Sequence, residues 1–379
     1  MGMGKKKMRV ANNGLPQEII ESILTRLPVK SVLRFRCVSK PWRSLLDDPV
    51  FVDRHFTNLS NHLNNLNNNK KAVFLSPHKS LNLVDFKTYQ SRVIYDDPLK
   101  TKFNGINLWG SCNGLVCMTT KDNSFICLWN PSTRKRNIIP SKSFHGKPSR
   151  SVYGFCSNAS VKDYEVVEIS LFLKRGDSEV AVYSLRRKSW QRIQIFPYAI
   201  RTGRGGVIIN GALHWKAHRS RKNGLLQSFE SVIIAYDAGG ESFREVPYPD
   251  HLIRSPCGLR VATLDGNLCV VSLDESTFEF WVMKEYGVRD SWTKQFIIGR
   301  HAHELEVQIS CFLAPLCFID DGETLVLDNG CNLLFFELKS QTLRRWPFTP
   351  SQNVANDWSK STTYCYETTT YIESLVDVE

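Results

Sequence analysis

The residues most able to bind a metal ion in this chain are His301 and His303. Because side chains two positions apart lie on the same face of a strand, the two imidazoles could be neighbours there. Glu304 and Glu306 are the nearest carboxylates in the sequence, and no cysteine lies at the spacing of a zinc site. The sequence therefore predicts no metal site.

Two glycine-containing stretches could bind phosphate or present a nucleophile, but both lack residues that this chemistry needs. Gly203-Arg204-Gly205-Gly206 is not followed by the Lys and the Ser or Thr of a GxxxxGK[ST] phosphate loop. Gly110-Ser111 does not belong to a GxSxG turn, which would expose a nucleophilic serine. We therefore predict that the protein is not an enzyme, with no catalytic residues and no cofactor.

The chain contains 11 cysteines, and no two of them form a CxxC pair. The spacing of Cys112, Cys117 and Cys127 is not that of a zinc ribbon, and most of the cysteines lie in apolar runs. The N-terminus has no apolar core typical of a secretory signal. These features predict free thiols in a reducing compartment, cytoplasmic and/or nuclear. The lack of a long apolar run predicts no membrane span.

The net charge of +12 leaves a nucleic-acid partner open as an alternative. Most basic residues, however, are spread singly or in pairs along the chain. The run Lys5-Lys6-Lys7 is an exception, and we predict that residues 1–13 are a disordered basic terminus. Nucleic acid is therefore the less favoured partner, and a strongly salt-dependent affinity would support it.

Apolar residues are concentrated between Leu27 and Pro49, in a stretch too short to bury them all. This stretch belongs to a helical unit, residues 14–57, which is too small to build an adequate core alone. The surplus apolar surface must pack against the rest of the chain or against another protein. Residues 58–71 are rich in Asn and have no periodicity, so we predict a linker that uncouples the helical unit and favours a partner protein.

Local signals divide the helical unit into three helices. Pro16 suits the first turn of the first helix, and Pro28 ends it. A second helix is predicted over about Lys30 to Val38. Ser39 is a suitable N-cap for a third helix.

From residue 72 to 379 the pattern changes to short β segments separated by turn residues. Asn-Gly or Asp-Gly pairs, which adopt the positive φ of tight hairpins, precede four of the apolar segments. These pairs are Asn113-Gly114, Asn210-Gly211, Asp265-Gly266 and Asp321-Gly322. Because strand pairs recur about every 50 residues, we predict a β-propeller of six to seven blades. We expect a C-terminal strand over Tyr371 to Leu375 to complete one blade.

The helical unit resembles an F-box in three stretches. They are Leu15-Pro16-Gln17-Glu18-Ile19-Ile20, Ile23-Leu24-Thr25-Arg26-Leu27-Pro28-Val29-Lys30-Ser31 and Arg34-Phe35-Arg36-Cys37-Val38-Ser39-Lys40-Pro41-Trp42. The β region resembles the plant F-box-associated, kelch-like domain. The stretches that carry this second resemblance are Gly110-Ser111-Cys112-Asn113-Gly114-Leu115, Trp129-Asn130-Pro131-Ser132-Thr133, Tyr153-Gly154-Phe155, Asp163-Tyr164-Glu165-Val166-Val167 and Tyr371-Ile372-Glu373-Ser374-Leu375.

The resemblance implies an α plus all-β protein, in which a small three-helix F-box precedes a divergent β-propeller. It also implies a substrate-recognition subunit of a Skp-cullin-F-box ubiquitin ligase, which docks on a Skp-type adaptor and through it on a cullin scaffold. The β domain would then recruit a protein substrate for ubiquitination and degradation. By position, the adaptor-facing candidates are Leu15, Pro16, Ile19, Ile23, Leu27, Pro28, Leu33, Val38 and Trp42. Any one of them could instead pack inside the helical unit.

Two further hypotheses concern what the β domain does. It could be a binding or scaffold module that is not engaged in ubiquitination, with the helical unit packed on it. The basic residues Arg219, Arg221 and Lys222 could hold an acidic substrate surface at a blade rim, although a solvated loop without a partner is the alternative.

Overall fold

The computed structural model describes residues 15–64, 71–75, 81–94, 98–99, 105–142, 148–172, 177–193, 196–200, 205–219, 231–249, 252, 259–274, 276–299, 313–330, 333–346 and 367–378. Helices occupy the first of these ranges, and strands dominate from residue 71 onward. Across the described ranges, no helix has both the length and the apolar character that crossing a membrane requires.

Four helices lie within the described N-terminal residues, so the expectation of three was wrong. They are α1 (Gln17–Leu24), α2 (Val29–Phe35), α3 (Lys40–Leu46) and α4 (Pro49–Asn64). Pro16 and Pro28 are the N-caps of α1 and α2. Ser39 caps α3, because its hydroxyl oxygen accepts a hydrogen bond from the Trp42 backbone N–H at 3.3 Å. The local signals thus placed the first three helix starts correctly.

The fourth helix continues into the stretch that the sequence suggested was a linker. Residues 58–64 belong to α4, and Lys71 already belongs to the first strand. Only residues 65–70 separate the two elements in the sequence, and they lie outside the described residues. The connection between the last helix and the β domain is therefore shorter than the composition predicted.

Local capping and a buried face explain α4. Pro49 occupies its first position, and the Asp48 carboxylate accepts a hydrogen bond from the Val50 backbone N–H at 2.7 Å. Phe51 and His55 lie about one turn apart on one helix face, and both are buried. Burial of that face stabilises a helix whose asparagines have low helix propensity.

The helices enclose a small apolar core. Its buried helical residues are Leu24, Val29, Val32, Leu46 and Phe51. Two contacts across this core tie the helices together. His55 Nε2 lies 2.9 Å from the Leu27 carbonyl oxygen, and the Phe35 and Trp42 rings meet edge to face with centroids 5.6 Å apart.

Six antiparallel sheets within the described residues form the blades of a β-propeller. The strands of blades one to three, in chain order, are β1 (Lys71–Leu75), β2 (Leu81–Asp85), β3 (Gln90–Ile94), β4 (Ile106–Cys112), β5 (Leu115–Thr120), β6 (Phe125–Trp129), β7 (Arg136–Pro140), β8 (Arg150–Asn158), β9 (Asp163–Phe172), β10 (Asp177–Ser184) and β11 (Ser189–Ile193). The strands of blades four to six are β12 (Tyr198–Ala199), β13 (Val207–Ile209), β14 (Ala212–Arg219), β15 (Ser231–Asp237), β16 (Ser242–Val246), β17 (Arg260–Leu264), β18 (Asn267–Leu273), β19 (Thr277–Met283), β20 (Trp292–Gly299), β21 (Ala314–Ile319), β22 (Thr324–Asp328), β23 (Leu333–Glu337) and β24 (Thr342–Arg345).

Blade one contains the first and the last strands of the β domain. The last strand, β25 (Glu367–Tyr371), pairs antiparallel with β1, and the sheet order is β25-β1-β2-β3. This pairing closes the ring, which leaves no open edge between the two ends of the domain. The predicted closure is confirmed, but the strand ends at Tyr371. Residues 372–378 form no strand, so the predicted strand was placed too late.

The other blades follow the chain, with one irregularity. Blades two, three, five and six each contain four consecutive strands, whereas in blade four both β12 and β13 pair with β14. The Asn-Gly and Asp-Gly pairs join the first two principal strands of their blades, as expected. Asn113 and Gly114, for example, have φ of 50° and 83°.

The antiparallel pattern gives the ring two different faces. The turn face carries the turns from first to second strand and from third to fourth strand of each blade. The connection face carries the ends of the second strands and the starts of the next blades. Val29 and Leu33 of α2 line a cavity together with Thr88 and Arg134, which lie in turns of blades one and two. The helices therefore lie at the turn face.

Candidate functional site

An apolar stripe at α1 is the most exposed apolar feature of the predicted adaptor-facing set. Ile19 and Ile23 lie about one turn apart on one face of α1, and Leu15 precedes the N-cap Pro16. Their side chains are 61%, 46% and 47% exposed. The other exposed candidates are Pro16, Pro28 and Val38. Large apolar side chains that stay together and exposed are typical of a surface that another protein covers.

Three of the predicted adaptor-facing residues are instead shared with the helical core. Leu27, Leu33 and Trp42 are half-buried and pack against the core cluster. Their primary contacts are therefore internal, and they do not belong to the exposed stripe. The resemblance to an F-box did not separate the two groups, because it carries positions over without regard to their burial.

One exposed apolar residue near the helices was not anticipated from the sequence. Val50, in the first turn of α4, is 63% exposed. Val50 could have been found from the sequence only if the helix α4 had been predicted. On the same side of the helical unit, the Arg54 guanidinium lies 2.6 Å from the Glu21 carboxylate and connects α4 with α1.

The last residues of the chain bind the helices to the propeller. We call residues 372–378 the C-terminal strap. Asn130, which is fully buried, donates hydrogen bonds from its side-chain amide to the carbonyl oxygens of Ser374 at 3.1 Å and Val376 at 2.8 Å. Asn137 donates in the same way to the Val378 carbonyl oxygen at 2.7 Å. Side chains of blade two thus satisfy backbone groups that would otherwise need a neighbouring strand.

Apolar side chains of the strap enter two different cores. Leu375 is buried in the helical cluster with Leu24 and Phe51. Val376 and Val378 pack in the cluster formed by blades two to four. The helical unit is therefore not uncoupled from the β domain, and the expectation from the Asn-rich stretch was wrong. The reason is a contact from the other end of the chain, which no local pattern reveals.

A charged cluster fixes the start of the strap. The Lys71 ammonium lies 2.8 Å from the Glu373 carboxylate and 3.1 Å from the Asp85 carboxylate. Burial acts to lower the pKa of Lys71, but hydrogen bonding and attraction to the two carboxylates outweigh it and raise the pKa above its usual value. Further along the strap, Asp377 pairs with Lys135.

The centre of the ring holds a cavity of about 240 Å³ between the innermost strands. It is lined by β4, β13, β17, β21 and β25, through residues that include Trp109, Gly206 and Thr369. Of the described residues that line it, Arg260 is the one with a charged side chain. Arg260 begins β17, so this charge lies toward the connection face, away from the helices.

The basic residues suggested for substrate binding are only partly described. Arg219 ends β14 at the connection face, and its guanidinium lies 2.8 Å and 2.5 Å from the two oxygens of the Glu245 carboxylate. Hydrogen bonding to Arg219 holds the pKa of Glu245 below its usual value. Arg219 is therefore engaged within blade four and is not a free cation. Arg221 and Lys222 lie outside the described residues.

The chemistry-bearing side chains of the described residues are dispersed. No three of their His, Cys, Asp or Glu side chains are grouped so that they could hold a metal ion, and His301 and His303 lie outside the described ranges. Of the seven described cysteines, Cys37 is exposed and six are buried free thiols. Burial raises the pKa of Cys112 to about 11.

Comparison with known proteins identifies both parts of the chain. A family profile described as F-box associated beta propeller domain matches residues 71–378, and one described as F-box domain matches residues 13–54. The chain belongs to the F-box-associated beta propeller family. Both resemblances found in the sequence are thus confirmed.

Relatives in Arabidopsis thaliana share this family's organisation over most of their length. F-box protein CPR1 is 29% identical over 357 residues, which cover 87% of this chain and 83% of that protein. F-box/kelch-repeat protein At3g23880 is 27% identical over 375 residues, which cover 96% of each. F-box protein At4g22390 is 28% identical over 361 residues, 86% of this chain and 84% of the relative.

An F-box followed by a substrate-binding propeller is the arrangement typical of receptors in Skp-cullin-F-box complexes. Such F-box-associated beta propeller proteins are typically non-catalytic subunits, and the F-box generally implies partnership with a Skp-type adaptor and a cullin.

Proposed function

We propose that this protein is a substrate-recognition subunit of a Skp-cullin-F-box ubiquitin ligase. The F-box docks on a Skp-type adaptor, and the propeller recruits a protein substrate for ubiquitination and degradation. The observation that carries this function is the exposed stripe of Leu15, Ile19 and Ile23 in an F-box. Covering such a stripe with a partner removes apolar surface from water, which is the main driving force of association.

The position of the helices leaves the connection face free to bind the substrate. The helices occupy the turn face, whereas the central cavity with Arg260 and the end of β14 at Arg219 face the opposite side. Arg221 and Lys222 follow in the sequence and remain candidates for contact with an acidic substrate surface. Simultaneous binding of the adaptor and the substrate accelerates ubiquitin transfer, because a substrate held near the ubiquitin carrier has a high effective concentration.

A scaffold function, in which the helices only pack on the propeller, has some support from the burial of Leu375 in the helical cluster. A scaffold function does not explain why the apolar stripe at α1 is exposed. We therefore favour the function of a ligase subunit.

The protein acts in the cytoplasm and/or the nucleus under this proposal. The six buried free thiols among the described cysteines are compatible with a reducing compartment.

Capture of a purified Skp-type adaptor tests the function. The double variant Leu15→Ala with Pro16→Ala should lose roughly 30- to 1,000-fold in adaptor affinity, since truncation of central anchors has effects of this size. Ile297→Ala is the control, because Ile297 is also exposed but lies in blade five. Wild-type adaptor affinity in the double variant would contradict the proposed docking surface.

A further inference from the structure

We propose that the C-terminal strap positions the F-box relative to the propeller, with Leu375 completing the helical core. Leu375 is then a positioning residue, which acts through the helices and not through contact with a partner. This role rests on the proposed function, because a fixed orientation matters only if the helices hold one partner and the propeller another. The packing that underlies it can be tested without either partner.

The helical core needs a side chain from outside the helices. A unit of this size buries too little apolar surface to be stable alone. Five helical residues form its buried cluster, and Leu375 is the sixth member, 8% exposed. The C-terminus of the chain thus supplies a substantial share of what holds the F-box together.

The strap is itself fixed on the propeller by directional bonds. Asn130 and Asn137 of blade two bind three strap carbonyl groups, and Lys71 of blade one pairs with Glu373. Polar contacts of this kind fix direction as well as distance. Because Leu375 points into the helices while its neighbour Val376 packs in the propeller, a short segment joins two cores.

Both ends of the β domain meet the helices at the same blade. The chain passes from α4 to β1, and β1 pairs with β25, which continues directly into the strap. The helices are therefore held at two points on adjacent strands. A single covalent connection would allow the unit to swivel, whereas two attachments restrict its rotation.

Fixed orientation has a consequence for ubiquitin transfer. Substrate lysines must come within reach of the ubiquitin carrier, and their effective concentration falls when the connecting part becomes flexible. A loosened F-box should still bind the adaptor through its exposed stripe. It should transfer ubiquitin more slowly and to a broader set of lysines.

Hydrogen exchange of the full-length wild-type protein provides a test that needs no variant. If the strap completes the helical core, amides of α1 to α4 should become exposed in the same opening event as those around Leu375. Equal opening equilibria of these two segments would support the proposal. Helices that stay protected while the strap opens freely would overturn it.

A matched pair of variants separates positioning from general destabilisation. Leu375→Ala should raise the opening equilibrium of the helices about thirtyfold or more, the effect expected from emptying a buried leucine site. Leu273→Ala is the control, because Leu273 is also 8% exposed but lies in the cluster of blades five and six. It should leave helix exchange unchanged. Leu375→Met, which conserves volume, should restore protection.

Distance measurement between a probe on the helices and one on the propeller rim gives the decisive readout. Leu375→Ala should broaden the distance distribution, while Leu273→Ala and Leu375→Met should keep it narrow. A distribution unchanged by Leu375→Ala would overturn the positioning role. With a model substrate fused to the connection face, a role in ligase activity predicts slower transfer for Leu375→Ala despite retained adaptor capture. If the wild-type protein does not bind the adaptor, the proposed function is refuted, while the conclusion that Leu375 packs in the helical core still stands.

Discussion

The side-chain amide of Asn130 donates a hydrogen bond to the Val376 carbonyl oxygen at 2.8 Å, although the two residues are 246 positions apart. The same amide reaches the Ser374 carbonyl oxygen, while the Asn130 side-chain oxygen accepts from the backbone N–H groups of Ser132 and Thr133. One asparagine thus shapes the turn after β6 and holds the end of the chain. Asparagine suits this position because it is both donor and acceptor.

Asn130→Asp should destabilise the protein by about 2–4 kcal/mol, since a buried carboxylate would replace the donor that faces two carbonyl oxygens. The acceptor for Ser132 and Thr133 would be retained, which isolates the lost donor. Urea unfolding of the full chain measures the change in free energy. Asn267→Asp is the control, because the Asn267 amide at the half-buried start of β18 donates one solvent-exposed hydrogen bond, to the Asp265 carbonyl oxygen, and its loss should change stability by at most about 1 kcal/mol. Equal effects of the two substitutions would contradict this role of Asn130.

Gly114→Ala should be more destabilising than Gly211→Ala, although both glycines follow Asn in equivalent turns. Their φ values are +83° and +76°, so the strain of a left-handed alanine is similar. A Cβ on Gly114 would lie 2.2 Å from the Ser374 hydroxyl oxygen and 2.6 Å from the Ile372 carbonyl oxygen, whereas one on Gly211 meets nothing within 4 Å. We expect a difference of about 1–3 kcal/mol, measured by thermal unfolding. Indistinguishable melting temperatures would show that the strap does not lie against this turn.

Ile23 and Leu24 are adjacent on α1, but truncation of each should affect a different property of the protein. Ile23 is 47% exposed and Leu24 is 2% exposed. Ile23→Ala should weaken adaptor binding about tenfold with little change in stability, because only an interface loses contacts. Leu24→Ala should destabilise the helices by about 2–5 kcal/mol, because it leaves a cavity in their core. Calorimetric titration with the adaptor and hydrogen exchange of the helices measure the two effects. A loss of helix stability in Ile23→Ala would place that side chain in the core.

The stability of the helices should fall as the pH is lowered below about 6.5. Burial lowers the pKa of His55 beneath 6.5, although its bond to the Leu27 carbonyl opposes this shift. The unfolded state therefore takes up a proton that the native state resists. Stability is fully present above pH 6.5 and decreases toward the folded pKa, with a slope of at most about 1.4 kcal/mol per pH unit from this group.

Hydrogen exchange of the helices between pH 7.5 and 5.5, corrected for its intrinsic rate, measures this dependence. His55→Gln keeps an N–H donor for the Leu27 carbonyl but cannot titrate in this range. It should show a flatter profile than the wild type. Identical profiles would mean that His55 does not govern the acid response.

Local chemistry allowed much of the fold to be predicted from the sequence. Pro16 and Ser39 mark helix starts and Pro28 marks a helix end, because their effects on φ, on hydrogen bonding and on capping act within a few residues. Asn113-Gly114 and the similar pairs mark hairpins because positive φ is a property of the residue itself. The F-box and the propeller were identified from such signals together with short motifs. The adaptor-facing set remains a prediction, which the resemblance to an F-box implies by position.

Only the tertiary structure decided which surfaces meet. Ile19 and Leu33 are both apolar and helical, and their exposure differs because only Leu33 packs against the core of the unit. Arg219 is a rim cation in the sequence and a partner of Glu245 in the fold, since strand pairing brings β14 and β16 into one blade. Leu375 reads as part of a strand, yet it fills the core of helices more than 300 positions earlier in the chain. Pairings of this kind depend on the three-dimensional path of the whole chain. The local propensities of the residues do not determine which of these pairings form.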